Sequence, residues 1–217
     1  MTDREVWYDT YDILHETLME SKMYETKVVD NFLDENEQKL VHDSIMASDW
    51  KFLNDVSGVN KQSYPSHGFV HVLKHPSIQK RSPNYLPIVN NIFQPKFYSF
   101  GFEVKEVYYT RAFLQIPMAP QYKKEHNGIH VDLPKELKHV ACIYYCNGSD
   151  GDTIIYDQTI HDSDKESATG VLLTEHKRVT PQRGRMAFFD GSRYHCSSQP
   201  TINYRCIINF DLILRET

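Results

Sequence analysis

Gly128-Ile129-His130-Val131-Asp132-Leu133 is the stretch on which the reading of this chain turns. In an extended segment alternate residues share a face, so His130 and Asp132 project together while Val131 points away. His195 follows downstream, and Arg205 stands ten positions beyond it. Two neutral imidazoles and one carboxylate on a single face of Fe(II) leave three coordination positions open, which makes His130, Asp132 and His195 candidate metal ligands. Arg205 opens the β-branched, apolar run Arg205-Cys-Ile-Ile-Asn-Phe-Asp-Leu-Ile-Leu214. An inward guanidinium in such a strand needs an anion to offset its desolvation, and a bound dicarboxylate supplies one in bidentate geometry.

The triplet alone carries little weight, because a chain of this length with 11 His yields His-x-Asp about once by chance. Order and setting add to it. His71 and Arg81 form a second pair at the same spacing, but they precede the triplet and bracket a turn and a helix start. Pro181-Gln-Arg-Gly184-Arg185 leads into Met-Ala-Phe-Phe-Asp190, a turn feeding a buried strand that delivers His195 just beyond its end.

A chain of 217 residues is long enough to bury one sizeable core without disulfides or structural metals. The net charge of -5 argues against a general nucleic-acid or membrane-surface binder. The start, Met1-Thr-Asp-Arg-Glu-Val-Trp-Tyr-Asp9, is acidic and lacks the apolar core of a signal peptide, and no apolar run reaches membrane-spanning length. A soluble, cytoplasmic protein is expected. Cys142, Cys146, Cys196 and Cys206 lack zinc-type spacing and lie in apolar runs, so they read as buried free thiols.

Asp34 and Glu37 form a capping-box start for a helix with Leu40, Val41, Ser44 and Ile45 on its inner side. A second helix is predicted from Ser82-Pro83, with Leu86, Val89, Ile92 and Phe93 at helical spacing and Pro95 as its end. Strands are predicted at Val104 to Tyr109, Ala112 to Ile116, His139 to Cys146, Thr153 to Tyr156, Val171 to Val179, Arg185 to Phe189 and Tyr204 to Leu214. Helices first and strands after indicate an α+β, β-dominated domain, with helices packed outside a two-sheet barrel or jelly roll. One domain over 1–217 is expected, with 1–100 as helix-rich support and 101–217 as the β core.

These residues resemble the Fe(II)/2-oxoglutarate dioxygenases of the double-stranded β-helix fold, most closely their prolyl-4-hydroxylase-like branch. The resemblance spans nearly the whole chain. Val28-Val-Asp-Asn-Phe-Leu-Asp-Glu-Asn-Glu37 looks like the opening segment of such domains, Ile129 to Pro134 like their His-x-Asp strand, Cys142 to Asn147 like the strand that follows, and Pro181 to Arg205 like their distal His and Arg block. The chain is also similar to oxygenases of bacteriophages, for which the host cytoplasm would be the location. The resemblance implies Fe(II) held by His130, Asp132 and His195, O2, 2-oxoglutarate paired with Arg205, and contact from Tyr145; ascorbate is compatible with it. It implies oxidative decarboxylation to succinate and CO2 coupled to hydroxylation of a C–H bond in a peptide, protein or small-molecule substrate, with a prolyl residue as the nearest guess. Many members carry Ser or Thr two residues after the Arg. Ile207 stands there in this chain, which makes Asn209, on the same strand face, the candidate for the second carboxylate contact.

Other features have plainer readings. Asp150 and Asp152 in Asn147-Gly-Ser-Asp-Gly-Asp-Thr153 have calcium-loop spacing, but no ligand-position Glu follows and a glycine-bearing hairpin turn is the stronger reading. His139 reads as a satisfied strand histidine, and His126 and His161 as members of polar loops. The loops 120–128 and 158–170 flank the proposed site in sequence and could serve as a lid or as plain connections. Two other classes remain open: a cupin-like metal protein that works without 2-oxoglutarate, and a non-catalytic jelly-roll module.

Overall fold

Strand β10, Arg205–Leu214, is the centre of the fold, paired antiparallel with β4, Val104–Gln115, on one side and β5, Val140–Tyr145, on the other. The computed structural model describes residues 24–56, 66–78, 81–122, 126–162 and 172–215. Beyond β5 lie β8, Met186–Asp190, and β1, Lys27–Val29; beyond β4 lie β3, Gly68–Lys74, and β2, Lys51–Leu53. A second antiparallel sheet holds β7, Glu175–Val179, β6, Thr153–Thr159, and β9, Arg193–Ser197, in that order. The arrangement is the two-sheet barrel of the double-stranded β-helix.

The period of two along β10 sorts its side chains into layers. Cys206, Ile208, Phe210 and Leu212 join the outer core with Cys142, Tyr144, Met186 and Phe188. Helix α1, Glu35–Met46, contributes Val41 and Ile45 to that core, and a π-helical segment, Tyr85–Phe93, running into α2, Gln94–Ser99, adds Ile88, Val89, Phe93 and Phe97. Phe93 and Phe97 both meet Phe210, with ring centroids 4.7 Å and 5.4 Å apart. On the other phase Ile207 joins Ala141, Ile143, Tyr145, Ala187 and Phe189 in a smaller core between the sheets. Arg205, Asn209 and Asp211 share that inward phase and are buried.

The capping box at α1 is present in both directions, with the Glu37 amide donating to Asp34 Oδ1 and the Asp34 amide to Glu37 Oε2. Leu40, however, is 55% exposed, while Gln38 is buried, its amide donating to the Leu33 carbonyl. The inner stripe is therefore centred on Gln38, Val41 and Ile45. Leu86 is also exposed, and Pro95 does not end the second helix. Pro95 falls in the first turn of α2, directly after the π-helical segment, so the chain passes from π to α geometry at a residue with no N–H to bond back into the preceding turn.

The strands expected at Val104 to Tyr109 and Ala112 to Ile116 are one strand, β4, which runs through Thr110 and Arg111. Strands β1, β2, β3 and β9 were absent from the sequence reading. Three of them come from the region expected to be helical support, and β1 and β2 are only three residues long, too short for an alternating pattern. Of the expected Val171 to Val179 strand, the described part forms at Glu175–Val179; Val171 lies outside the described residues. Residues 147–153 make no hairpin, because β5 belongs to the large sheet and β6 to the small one. There Asp150 accepts from the Thr201 and Ile202 amides, stapling one inter-sheet crossing to another. All four cysteines are free and buried. Among the described residues no helix is long and apolar enough to cross a membrane.

Candidate active site

His195 lies within β9, and the chain at His130 meets it through an isolated antiparallel bridge. Each residue's amide donates to the other's carbonyl, at 3.0 Å and 2.9 Å. The His-x-Asp segment is thus a single bridge followed by a bend, where a short strand was expected. Pro134 has no N–H to continue a ladder, and the Leu137 amide closes a turn onto its carbonyl. Asp132 still reaches the same centre as His130, while Val131 packs against the outer face of the small sheet with Ile154, Tyr156 and Cys196.

One ligand atom from each of His130, Asp132 and His195 lies within 4.8 Å of the others. His195 Nε2 is 3.3 Å from Asp132 Oδ2, and His130 Nε2 is 3.8 Å from Asp132 Oδ1. Both Nδ1 atoms face backbone carbonyls, Gly128 O at 2.9 Å for His130 and Arg193 O at 3.1 Å for His195. A carbonyl only accepts, so each Nδ1 carries a hydrogen, and in a neutral ring the Nε2 that faces the carboxylate is then a bare lone pair. Burial, reinforced by His195 nearby, pushes the His130 pKa down to about 4, which keeps that ring neutral near pH 7. Three lone-pair donors facing one another repel unless a cation sits among them. Metal ligands at about 2.1 Å and right angles stand about 3 Å apart, a contraction of a few tenths of an ångström to about 2 Å from the spacing here.

Asp132 is held from the large sheet. Asn209 Nδ2 donates to Oδ2 at 2.8 Å, and Arg111 Nη2 donates to Oδ1. Burial alone would raise the Asp132 pKa, but Arg111, then His195 and His130, hold it well below the usual carboxylate range. Arg111 lies over the Tyr109 ring, 4.2 Å from its centroid, and 5.5 Å from that of Phe113. Behind it Asp211 is fully buried, 3.7 Å from Arg111 Nη2, and neither of its oxygens accepts a hydrogen bond among the described residues. Burial, with Asp132 nearby, pushes the Asp211 pKa well above the usual range. His139, expected to be satisfied, gives Nδ1 to the Leu137 carbonyl but leaves a buried Nε2 without a partner, 3.7 Å from Asp211 Oδ1. His126 and His161 are exposed and outside the cluster.

Arg205 lies deeper in the barrel, 4% exposed. Nε donates to the Gly151 carbonyl at 2.8 Å, Nη1 to Gln115 Oε1 at 3.1 Å and Nη2 to Thr153 Oγ1 at 2.7 Å. Every one of these partners is neutral, and among the described residues no carboxylate forms an ion pair with it. Burial lowers its pKa. The Tyr145 hydroxyl also donates to Thr153 Oγ1, at 2.8 Å, and the Tyr145 ring lies 5.9 Å from the guanidinium. Because Thr153 Oγ1 accepts twice, its own hydrogen is free to donate. Asn209 faces inward as expected but reaches Asp132 and makes no hydrogen bond to Arg205's neighbours. Arg111, Gln115 and Thr153 are the site residues that sequence reasoning missed.

A cavity of about 340 Å³ connects these groups, with Val56, Phe113, Ile143 and Ile207 as apolar walls between the triad and Arg205.

No protein-family model matches the sequence, and no curated protein matches it. Solved structures do. An oxidoreductase of the 2OG-Fe(II) oxygenase family from Burkholderia pseudomallei is similar at a TM-score of 0.63 and 12% identity, over 87% of this chain and 84% of that one. A prolyl-4-hydroxylase from Pseudomonas putida is similar at 0.53 and 12% identity, over 89% and 95%. A Trichoplax adhaerens prolyl hydroxylase, in complex with a hypoxia-inducible-factor oxygen degradation domain peptide fragment, is similar at 0.56 and 9% identity, over 98% and 94%. The fold is that of the 2-oxoglutarate/Fe(II) oxygenases, prolyl-4-hydroxylases included.

Proposed function

We propose that the chain forms a single catalytic domain, a soluble cytoplasmic Fe(II)- and 2-oxoglutarate-dependent dioxygenase that hydroxylates a C–H bond of a peptide or small-molecule substrate. The observation that carries this reading is the pairing, in one cavity, of three converging lone-pair donors with a buried arginine that lacks any anionic partner among the described residues. Fe(II) held by His130, Asp132 and His195, with 2-oxoglutarate beside it and O2 as the oxidant, would supply oxidative decarboxylation to succinate and CO2 coupled to hydroxylation, one oxygen atom going to succinate and the other to the product.

The chain's own residues divide the work. Arg205 receives the far carboxylate of 2-oxoglutarate, and its neutral partners hold the guanidinium in place without competing for its charge. Thr153, with the hydrogen its oxygen has left over, makes the second contact that the sequence assigned to Asn209. Tyr145 acts by fixing Thr153. Asn209 and Arg111 orient the Asp132 carboxylate, the support that ligand carboxylates need. The walls at Phe113, Ile143 and Ile207 exclude water around the reacting groups. A cupin-like barrel without 2-oxoglutarate leaves Arg205 without a purpose, and a non-catalytic jelly roll leaves the three converging donors without one. The peptide-bound Trichoplax neighbour supports a prolyl residue as one substrate.

The test is anaerobic reconstitution with Fe(II) and a visible-spectrum titration with 2-oxoglutarate, wild type against Arg205→Ala. The reading expects a weak metal-to-ligand band that saturates in the wild type and needs about 10- to 100-fold more 2-oxoglutarate in the variant, the loss typical of a charge-assisted pair. Bound iron without the band would favour the cupin-like reading, and no bound iron the non-catalytic one.

A further inference from the structure

The cavity has a second cation that 2-oxoglutarate does not explain. Register along the large sheet pairs Arg111 with Asn209 and Gln115 with Arg205. Four residues of antiparallel strand span about 13 Å, so the two arginines stand toward opposite ends of the cavity floor, with the triad near Arg111. A five-carbon diacid reaching from Arg205 to the triad ends there.

Arg111 is built to hold a fixed orientation, stacked on Tyr109 and flanked by Phe113. Of its five N–H donors, those on Nη2 face Asp132, and Nη2 stands 3.7 Å from Asp211, beyond hydrogen-bond range. Nε is buried without a hydrogen-bond partner among the described residues, and beyond Asp132 the guanidinium has the Tyr109 side chain beside it. A clamp on one carboxylate oxygen needs less than this planar fork provides. The space is also limited: about 340 Å³ lies at the low end for ligand pockets, before the cosubstrate takes its share.

We propose that Arg111 anchors a carboxylate of the substrate, which places the substrate among small carboxylic acids such as free amino acids. This rests on the dioxygenase reading and chooses between its two substrate classes, since an internal prolyl residue of a polypeptide brings no carboxylate to that end of the cavity.

The experiment uses full-length protein saturated with Fe(II) and 2-oxoglutarate under argon. The common L-amino acids and their carboxamides are the probes, and perturbation of the visible band is the readout. At least one acid is expected to bind about 10- to 100-fold more tightly than its own amide. In Arg111→Gln, at saturating metal, that acid-to-amide ratio should fall toward one, and Arg111→Lys should restore part of it. The ratio is insensitive to weaker metal binding, which a mere clamp on Asp132 would produce. Equal binding of acids and amides, no response to any acid, or an equal response of wild type and Arg111→Gln to a proline peptide blocked at both ends would each overturn the assignment. The absence of the band before any probe is added would refute the dioxygenase reading itself, and this one with it.

Discussion

The two faces of the large sheet are built from the same strands and do opposite things. On β10, Phe210 points outward into a cluster of aromatic rings, while its neighbours Asn209 and Asp211 point inward with buried oxygens that accept no hydrogen bond among the described residues. Outward burial of apolar surface stabilises, and inward burial of charge and amide costs stability. The strand can hold Arg205 and Asp211 in a barrel interior because every second residue is anchored in the outer core. The difference teaches that stability and chemistry here are separated by side-chain parity, one residue apart, and not by region of the chain.

Substitutions on opposite parities should therefore fail in different ways. Phe210→Ala opens a void beneath Phe93 and Phe97 and should cost about 3–5 kcal/mol in urea unfolding. Arg205→Ala, one strand face over, should leave the urea midpoint unchanged or raise it, since an uncompensated buried cation is removed. A loss matching that of Phe210→Ala would break the comparison. Asn209→Ala should weaken iron binding about 10- to 100-fold, measured by competition with a chelator, because Asp132 loses an orienting donor. Retained affinity would leave Arg111 as the sole support. Gly151→Ala places a Cβ 3.1 Å from both Arg205 Cδ and Pro200 Cδ, so the 2-oxoglutarate requirement should rise a few-fold while iron affinity holds.

The smallest effect concerns the staple between crossings. Hydrogen bonds from Thr201 and Ile202 outweigh the desolvation of Asp150 and lower its pKa to about 2 from 3.8. A depressed folded-state pKa gives stability that is present above pH 4 and lost as pH falls toward 2. Asp150→Asn should flatten that part of the stability-against-pH curve. A curve parallel to the wild type would assign the acid limb to other carboxylates.

The parity also explains what could be read from sequence. The capping box at Asp34 and Glu37 is local chemistry and was legible residue by residue. The convergence of His130, Asp132 and His195 was legible from their types and order, and the inward burial of Arg205 from its place at the head of an apolar strand. Arg111 was not. A charged residue in Tyr109-Thr-Arg-Ala-Phe113 read as a break between two strands, whereas it is an inward-phase residue of one continuous strand. The missed signal was the phase: Tyr109, Arg111 and Phe113 share one face, and a lone cation on an otherwise aromatic face marks a buried site. Gln115 and Thr153 have roles set only by the register that brings β4, β6 and β10 around Arg205, which no local pattern encodes. The same holds for Asn209, whose partner was decided by the bend after His130.

The bridge between His130 and His195 has a consequence for the order of assembly. Two main-chain hydrogen bonds hold these residues face to face, so their approach does not depend on the imidazole side chains or on anything bound between them. Closure of the barrel at this point is therefore a main-chain event, and the side-chain cluster follows from it.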